Sequence, residues 1–150
     1  GLLLYGTLLA TGLATGRYDP DGHDDLQLNG CIIINTLRCV PPGNKPDPAE
    51  IARCRPFFAA ALAALPRLTT LIALGTIAHA ATLRAHGLAP SRHRFAHGAQ
   101  HELPGGRLLI DSFHCSRLNT STGRLTPAMF EAVFRAALSH RLSTAPGRNV

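Results

Sequence analysis

Three short apolar runs, each followed by a turn and a helical pattern, constrain the fold of this 150-residue chain more than any other feature. The runs lie at 30–35, 70–74 and 108–110. Continuous apolar runs of this length are typical of strands buried on both faces of a parallel sheet. Their alternation with helices predicts an α/β fold, a doubly wound α/β/α sandwich around a central parallel sheet.

Helix signals fill the intervals between these runs. Asp47, Pro48 and Glu50 form a capped helix start that predicts a helix to about residue 65. Further helices are predicted at 76–86 and from Pro127 onward. One domain is expected over 1–142, followed by a disordered tail at 143–150. The chain opens at Gly1 inside an apolar helical pattern without a cap, which predicts that a preceding segment is missing.

The charge of the chain indicates a polyanionic partner. Its formal net charge is +6, and fourteen of the fifteen basic residues are Arg, a residue suited to bidentate phosphate contacts. Solubility or codon bias would explain the same composition. No apolar run is long enough for a membrane span and no secretory signal opens the chain, so the expected location is cytoplasmic.

Two unusual segments, 35–48 and 111–126, follow predicted strands and should face each other across one cleft. Asn35 offers an amide suited to reading a pyrimidine edge, although strand-end Asn residues more often satisfy loop backbone. His114 could donate a hydrogen bond to an oxygen that becomes anionic in a transition state. The other seven histidines are interpreted as surface or packing residues.

The segment 116–124 combines small hydrogen-bond donors with guanidinium groups, as expected of a phosphate-binding loop. Leu118 lies among them and suits either a wedge that enters a base stack or a buried anchor for the loop. The candidate DNA-binding residues are Ser116, Arg117, Leu118, Asn119, Thr122, Gly123, Arg124 and Lys45.

Four cysteines are too few and too irregular for a disulfide framework. Cys39 and Cys54 flank the Pro-rich loop and could bring two thiolates to one metal. Two ligands are fewer than the four that zinc or a 4Fe–4S cluster takes. Cys31 and Cys115 are not obviously able to turn toward the same centre.

The chain resembles the iron–sulfur uracil-DNA glycosylases, and among these the type-b branch found in bacteria and archaea. The resemblance runs from residue 29 to about residue 137. It is carried by the stretches INTLRCVPPGNKPDPAEIARCRP, LIALGTIAHAA, FAHG and DSFHCSRLNTSTGRLTPAMFEAVF.

This resemblance implies an enzyme that flips uracil, and some deaminated purines, out of double-stranded DNA and hydrolyses the N-glycosidic bond. By the same likeness Asn35 reads the base, His114 stabilises the departing uracil anion, and 116–124 enters the DNA. It also implies a 4Fe–4S cluster, with Cys39 and Cys54 as two of the four ligands, in a monomeric protein.

The sequence departs from the family pattern at its N-terminal side. A Cys-x-x-Cys pair and a Gly-rich segment ending in Thr-Gly-Asp, which carries the water-positioning acid, are not present, and Leu118 stands where an aromatic residue is common. The first strand of the sheet is expected to be missing with them, and this chain to be inactive and poorly folded by itself. The alternatives are a non-catalytic basic DNA-binding module and an inactive fragment of the glycosylase.

Overall fold

Five α-helices and five strands follow one another in the part of the chain that the computed structural model describes, residues 1–37, 43 and 46–144. In chain order they are α1 (Leu2–Ala10), β1 (Ala14–Thr15), β2 (Gln27–Leu28), α2 (Pro48–Ala63), β3 (Thr70–Leu74), α3 (Thr76–Ala85), β4 (Gln100–Leu103), β5 (Arg107–Ser112), α4 (Arg117–Ser121) and α5 (Pro127–Thr144). The helices predicted at the start of the chain, after Asp47, after residue 75 and after Thr126 are all confirmed.

The central sheet has the strand order β3–β5–β4. β3 and β5 are parallel, with Leu74 opposite Ser112, whereas β4 is antiparallel to β5. The α/β class is confirmed, but the sheet is mixed rather than wholly parallel. The reason is local: the turn Pro104–Gly106 is too short for a crossover, so β4 and β5 form a hairpin.

Helices cover both faces of this sheet. β5 is buried along most of its length, and its alternate residues point to opposite sides. Leu109 packs with Leu83 of α3 on one side, and Ile110 packs with Val133 of α5 on the other. The predicted covering of both faces is therefore confirmed, and it explains why the strand reads as a continuous apolar run.

A second apolar cluster joins the opening helix to the last one. Leu8 of α1, Leu13 and Ala14 pack with Phe130 and Phe134 of α5. β1 and β2 form a small antiparallel pair that follows α1, and sequence patterns did not predict it because each strand has only two residues. The cluster thus attaches α1 and β1 to α5.

The strand predicted at 30–35 is wrong. None of its residues is assigned to a strand, and the side chains of Ile32 and Ile33 are 57% and 42% exposed. The segment is held at its start by other contacts: the thiol of Cys31 donates to the Leu13 carbonyl, and Arg141 donates to the Gly30 carbonyl. A β-branched run becomes a strand only where a neighbouring strand pairs with it, and the described residues pair none with this one.

The start of α2 follows from its sequence, whereas the end of α5 does not. Asp47 accepts from the backbone N–H of Glu50 at 2.7 Å, and Glu50 returns a bond to the N–H of Asp47 at 3.0 Å, which is a capping box. α5 continues through Thr144, so the first two residues of the predicted disordered tail are helical; residues 145–150 lie outside the described part. No helix in the described ranges is both long and apolar enough to cross a bilayer.

Candidate active site

The carboxyl ends of β3 and β5 meet at one edge of the sheet. The backbone N–H of Gly75 donates to the Ser112 carbonyl at 2.8 Å, and both strands end at this point. Gly75 has a φ of +98°, and a Cβ on it would lie 3.4 Å from the Cβ of His114. This φ lies in the left-handed region that favours glycine, and the backbone at Gly75 passes within van der Waals distance of His114. The predicted place of His114, just past a strand at the carboxyl edge, agrees with this arrangement.

His114 is exposed and is attached through its backbone to α4. Its carbonyl accepts from the side-chain amide of Asn119 at 2.8 Å. Ser116 caps α4 by accepting from the backbone N–H of the same Asn119. Asn119, predicted to contact DNA, thus attaches the short helix to the backbone of His114.

The segment 116–124 is not a loop throughout, because residues 117–121 form α4. The side chain of Leu118 is 71% exposed, so the interpretation of this residue as a buried anchor is wrong. Arg117, Thr122 and Gly123 are exposed beside it. An apolar side chain projecting among exposed polar residues leaves the wedge interpretation in place.

Arg124 lies against the residue that precedes His114. Its guanidinium carbon is 4.6 Å from the centre of the Phe113 ring, within the range of a cation–π contact. Arg124 is exposed, so its donors remain open to solvent on the side away from the ring. The arrangement places a positive charge over the ring of the residue that precedes His114.

Asn35 lies in a different surface feature. It is exposed and lines a recess with Cys54, Phe57 and Phe58 of α2, and His114 is not among the lining residues. Since 30–35 is not a strand, Asn35 does not stand at a strand end. The common cleft of Asn35 and His114 therefore stays a prediction.

The cysteines fall into two groups. Cys54 is buried on α2, whereas Cys31 and Cys115 pack against the cluster between α1 and α5. Burial raises the pKa of the Cys31 and Cys115 thiols, more than nearby hydrogen bonds and charges lower it, so both are protonated at neutral pH. Cys39, predicted as the partner of Cys54, and Lys45, predicted to contact DNA, lie outside the described residues.

A buried polar network beneath this edge was missed by sequence reasoning. Asp111 is fully buried in β5, although the sequence placed it in a loop after the strand. One carboxylate oxygen lies 2.8 Å from Nδ1 of His79, and the other lies 2.8 Å from Nε2 of His101. The available signal was the alternation along β5, which puts residue 111 on the same buried side as Leu109.

The protonation of His79 follows from its two partners. Nδ1 faces the Asp111 carboxyl group, and Nε2 lies 2.8 Å from the carbonyl oxygen of His93. A carbonyl can only accept, so Nε2 carries a hydrogen, and one further proton lies between Nδ1 and the carboxyl group. His79, His101 and Asp111 form a group whose possible metal-ligand atoms all lie within 4.8 Å of one another. Separations of 2.8 Å are those of direct hydrogen bonds, which satisfy both carboxylate oxygens.

Comparison with known proteins locates this architecture in a family. Residues 1–138 match the family model described as the uracil DNA glycosylase superfamily. A protein of Thermus thermophilus named type-5 uracil-DNA glycosylase is 44% identical over 137 residues, which cover 91% of this chain and 62% of the relative. A protein of the same name from Mycobacterium tuberculosis is 38% identical over 136 residues, covering 89% of this chain and 51% of the relative.

An archaeal relative extends the comparison. The type-5 uracil-DNA glycosylase of Pyrobaculum aerophilum is 31% identical over 134 residues, covering 89% of this chain and 58% of its own length. The chain thus spans between 51% and 62% of the length of these three relatives. Because the family model matches from α1 to within α5, and with it both strands that present His114, this chain belongs to the uracil DNA glycosylase superfamily.

Proposed function

We propose that the protein containing this chain is a DNA base-excision repair glycosylase that hydrolyses the N-glycosidic bond of uracil in DNA, and of some deaminated purines. The observation that carries the proposal is the family match over 1–138 to relatives named uracil-DNA glycosylases, with His114 exposed at the carboxyl edge of the sheet. Ligands of open α/β sheets bind at this edge.

The proposed chemistry needs no covalent intermediate. The bond between the sugar carbon and the uracil nitrogen breaks, and its electron pair passes into the uracil ring. Water adds to the sugar cation and loses one proton to solvent, and the uracil anion takes up one proton, so the products are a sugar hydroxyl and free uracil. The His114 ring would donate a hydrogen bond to the uracil oxygen as negative charge grows on it, which stabilises the transition state more than the ground state. Asn35 would read the base edge.

The proposed DNA contact is the exposed surface around α4. Arg117 and Arg124 are exposed there and would bind phosphates, while Leu118 would fill the gap left by the flipped base. The net charge of +6 favours the approach of double-stranded DNA.

We further propose a monomer, and a cytoplasmic location by likeness to the bacterial and archaeal enzymes.

The proposal includes the 4Fe–4S cluster that the resemblance implies, with Cys39 and Cys54 as two of its ligands. Thiolates are the correct ligand chemistry, and Cys54 lies beside residues 34–36, which lead into the segment of Cys39. Cys31 and Cys115 belong to the other apolar cluster. The cluster would support the fold, and no step of the reaction is assigned to it. The test is an iron and sulfide analysis of the complete protein and of its Cys54→Ser variant. A parent protein without iron contradicts the cluster.

The experiment is a product assay with the complete protein that contains residues 1–150, on duplexes that differ in a single uracil or thymine. We expect cleavage at uracil alone, and a loss of roughly 10²-fold or more in His114→Ala, as for removal of one oxyanion donor. His23→Ala, an exposed histidine in the loop between β1 and β2, is the matched control and should keep the parent rate. An unchanged rate in His114→Ala would reject the assigned role.

The net charge of +6 also supports a second candidate, a non-catalytic DNA-binding module. Phosphate contacts do not distinguish uracil from thymine, whereas a base-reading pocket does. Equal affinity for the two duplexes, without product, would favour the binding module.

A further inference from the structure

His97 lies between the segment that leads to His114 and the last helix. Its Nδ1 is 3.1 Å from the backbone nitrogen of Phe113, and its Nε2 is 3.2 Å from the carbonyl oxygen of Met129 in α5. The His97 and Phe113 rings also pack together, with centroids 5.0 Å apart and planes inclined by 30°. The half-buried His97 ring therefore bridges the backbone at Phe113 and helix α5.

The partners of His97 define which nitrogen carries the hydrogen. The backbone N–H of Phe113 can only donate, so Nδ1 must accept and carries no hydrogen. The Met129 carbonyl can only accept, so Nε2 donates. The ring is thus neutral with its hydrogen on Nε2, an assignment made from the hydrogen-bond partners. An added proton on Nδ1 would face the Phe113 N–H and break the bridge.

The bridge acts where the sheet no longer holds the chain. Pairing between β3 and β5 ends at Ser112, whose carbonyl accepts from Gly75. The next backbone donor is the N–H of Phe113, and His114 follows directly. Arg124 lies over the Phe113 ring, so this residue is held both through its backbone and through its ring.

We propose that His97 is a positioning residue, which fixes the Phe113 backbone and so sets the direction of the His114 side chain toward the departing base. The inference rests on the proposed function. A misplacement of about 1 Å in a catalytic group can cost roughly 10²-fold in rate, so loss of this bridge should lower the rate of bond breakage rather than the affinity for DNA.

Two substitutions test the contact with Phe113 and the contact with Met129 separately, because each keeps one of the two hydrogen-bonding atoms of His97. Asn at this position places an amide oxygen two bonds from Cβ, where Nδ1 lies, and can accept from Phe113. Gln places an amide nitrogen three bonds from Cβ, where Nε2 lies, and can donate to Met129 while leaving the Phe113 N–H without its acceptor. His97→Ala removes both contacts.

The experiment measures single-turnover excision of uracil from duplex DNA by the complete protein, at a range of enzyme concentrations. We expect the maximal rate of His97→Gln and His97→Ala to fall roughly 10- to 100-fold, with the half-saturating concentration within about twofold of the parent. His97→Asn should stay within about threefold of the parent rate. Hydrogen exchange at the Phe113 amide should accelerate in the Gln and Ala variants and stay slow in Asn.

Other outcomes overturn the inference. If Asn and Gln lose rate equally, or if the loss follows the melting temperature and not the Phe113 exchange, His97 only supports packing. If the parent has no activity on uracil-containing duplex, the proposed function fails. The exchange pattern at Phe113 then still decides whether the bridge exists, so the two failures are distinguishable.

Discussion

Asp111 and His79 are joined by a 2.8 Å contact between a carboxylate oxygen and Nδ1, and both side chains are buried. The pair links the C-terminal end of β5 to α3, and Nε2 of His101 in β4 lies 2.8 Å from the other carboxylate oxygen. Three elements around the sheet therefore meet at one carboxyl group, two residues before Phe113.

The first prediction concerns that carboxyl group. Asp111→Asn puts an amide NH₂ where a carboxylate oxygen accepts from one imidazole, which leaves a buried donor unsatisfied. A buried donor without an acceptor costs about 1–3 kcal/mol, and we expect a loss of this size in the free energy of unfolding. Chemical denaturation followed by circular dichroism measures it.

Glu131→Gln is the matched control. Glu131 forms an i,i+4 pair with Arg135 on the surface of α5, with side chains 36% and 60% exposed. Exposed helical pairs contribute roughly 0.3–0.5 kcal/mol, so this variant should be almost as stable as the parent. Equal losses in the two variants would show that the buried network has no special contribution.

The second prediction tests Leu118 against an equally exposed leucine. Leu118→Ala should leave stability unchanged and lower uracil excision from duplex DNA roughly tenfold or more, because flipping a paired base costs a few kcal/mol. Leu142, 77% exposed on α5, is the control, and Leu142→Ala should keep both stability and rate. Excision from single-stranded DNA needs no wedge, so a parallel loss on that substrate would contradict the assignment.

The third prediction concerns the pH dependence of Cys115. Burial raises the pKa of its thiol above its ordinary value, so the pH midpoint of its alkylation by iodoacetamide should be higher in the folded protein than in urea. The folded state disfavours the thiolate, so this stabilising contribution is complete below the unfolded pKa and is lost as the pH rises through the folded pKa. Mass spectrometry of the labelled peptide gives both midpoints, and identical midpoints would contradict the burial effect.

The fourth prediction tests the capping box of α2. Asp47→Ala removes the acceptor for the Glu50 N–H and should lower the free energy of unfolding by about 1 kcal/mol. Asp47→Ser keeps an oxygen in place and should lie within about 0.5 kcal/mol of the parent. If Ser is as destabilising as Ala, the side-chain bond does not stabilise the helix.

Local signals predicted the parts of the fold that local chemistry decides. Asp47 and Pro48 begin α2, Thr126 and Pro127 precede α5, and the run 70–74 forms β3, because caps, prolines and apolar periodicity act within a few residues. The run 30–35 has an equally strong β-branched composition and forms no strand, since pairing depends on a distant neighbour. β4 was missed for the converse reason: Gln100–Leu103 is mostly polar, and its place in the sheet is decided by the hairpin with β5.

The candidate site shows the same division. His114 and the segment 116–124 were proposed as site residues from the sequence, because an unusual composition follows a recognisable strand, and their roles stay predictions. His97 contacts Phe113, 16 positions along the chain, and His79 contacts Asp111, 32 positions along the chain. No local sequence pattern predicts contacts between residues so far apart. Histidines interpreted as packing residues prove to be hydrogen-bonded on both ring nitrogens.

The attachment of α4 to His114 through Asn119 has a mechanical consequence. The exposed side chain of Leu118 lies on the same five-residue helix as Asn119, and Asn119 donates a hydrogen bond to the His114 carbonyl. The hydrogen bond from Asn119 therefore couples the position of α4 to the position of the His114 backbone. In the proposed function, entry of Leu118 into the duplex and placement of the His114 donor would therefore be linked movements.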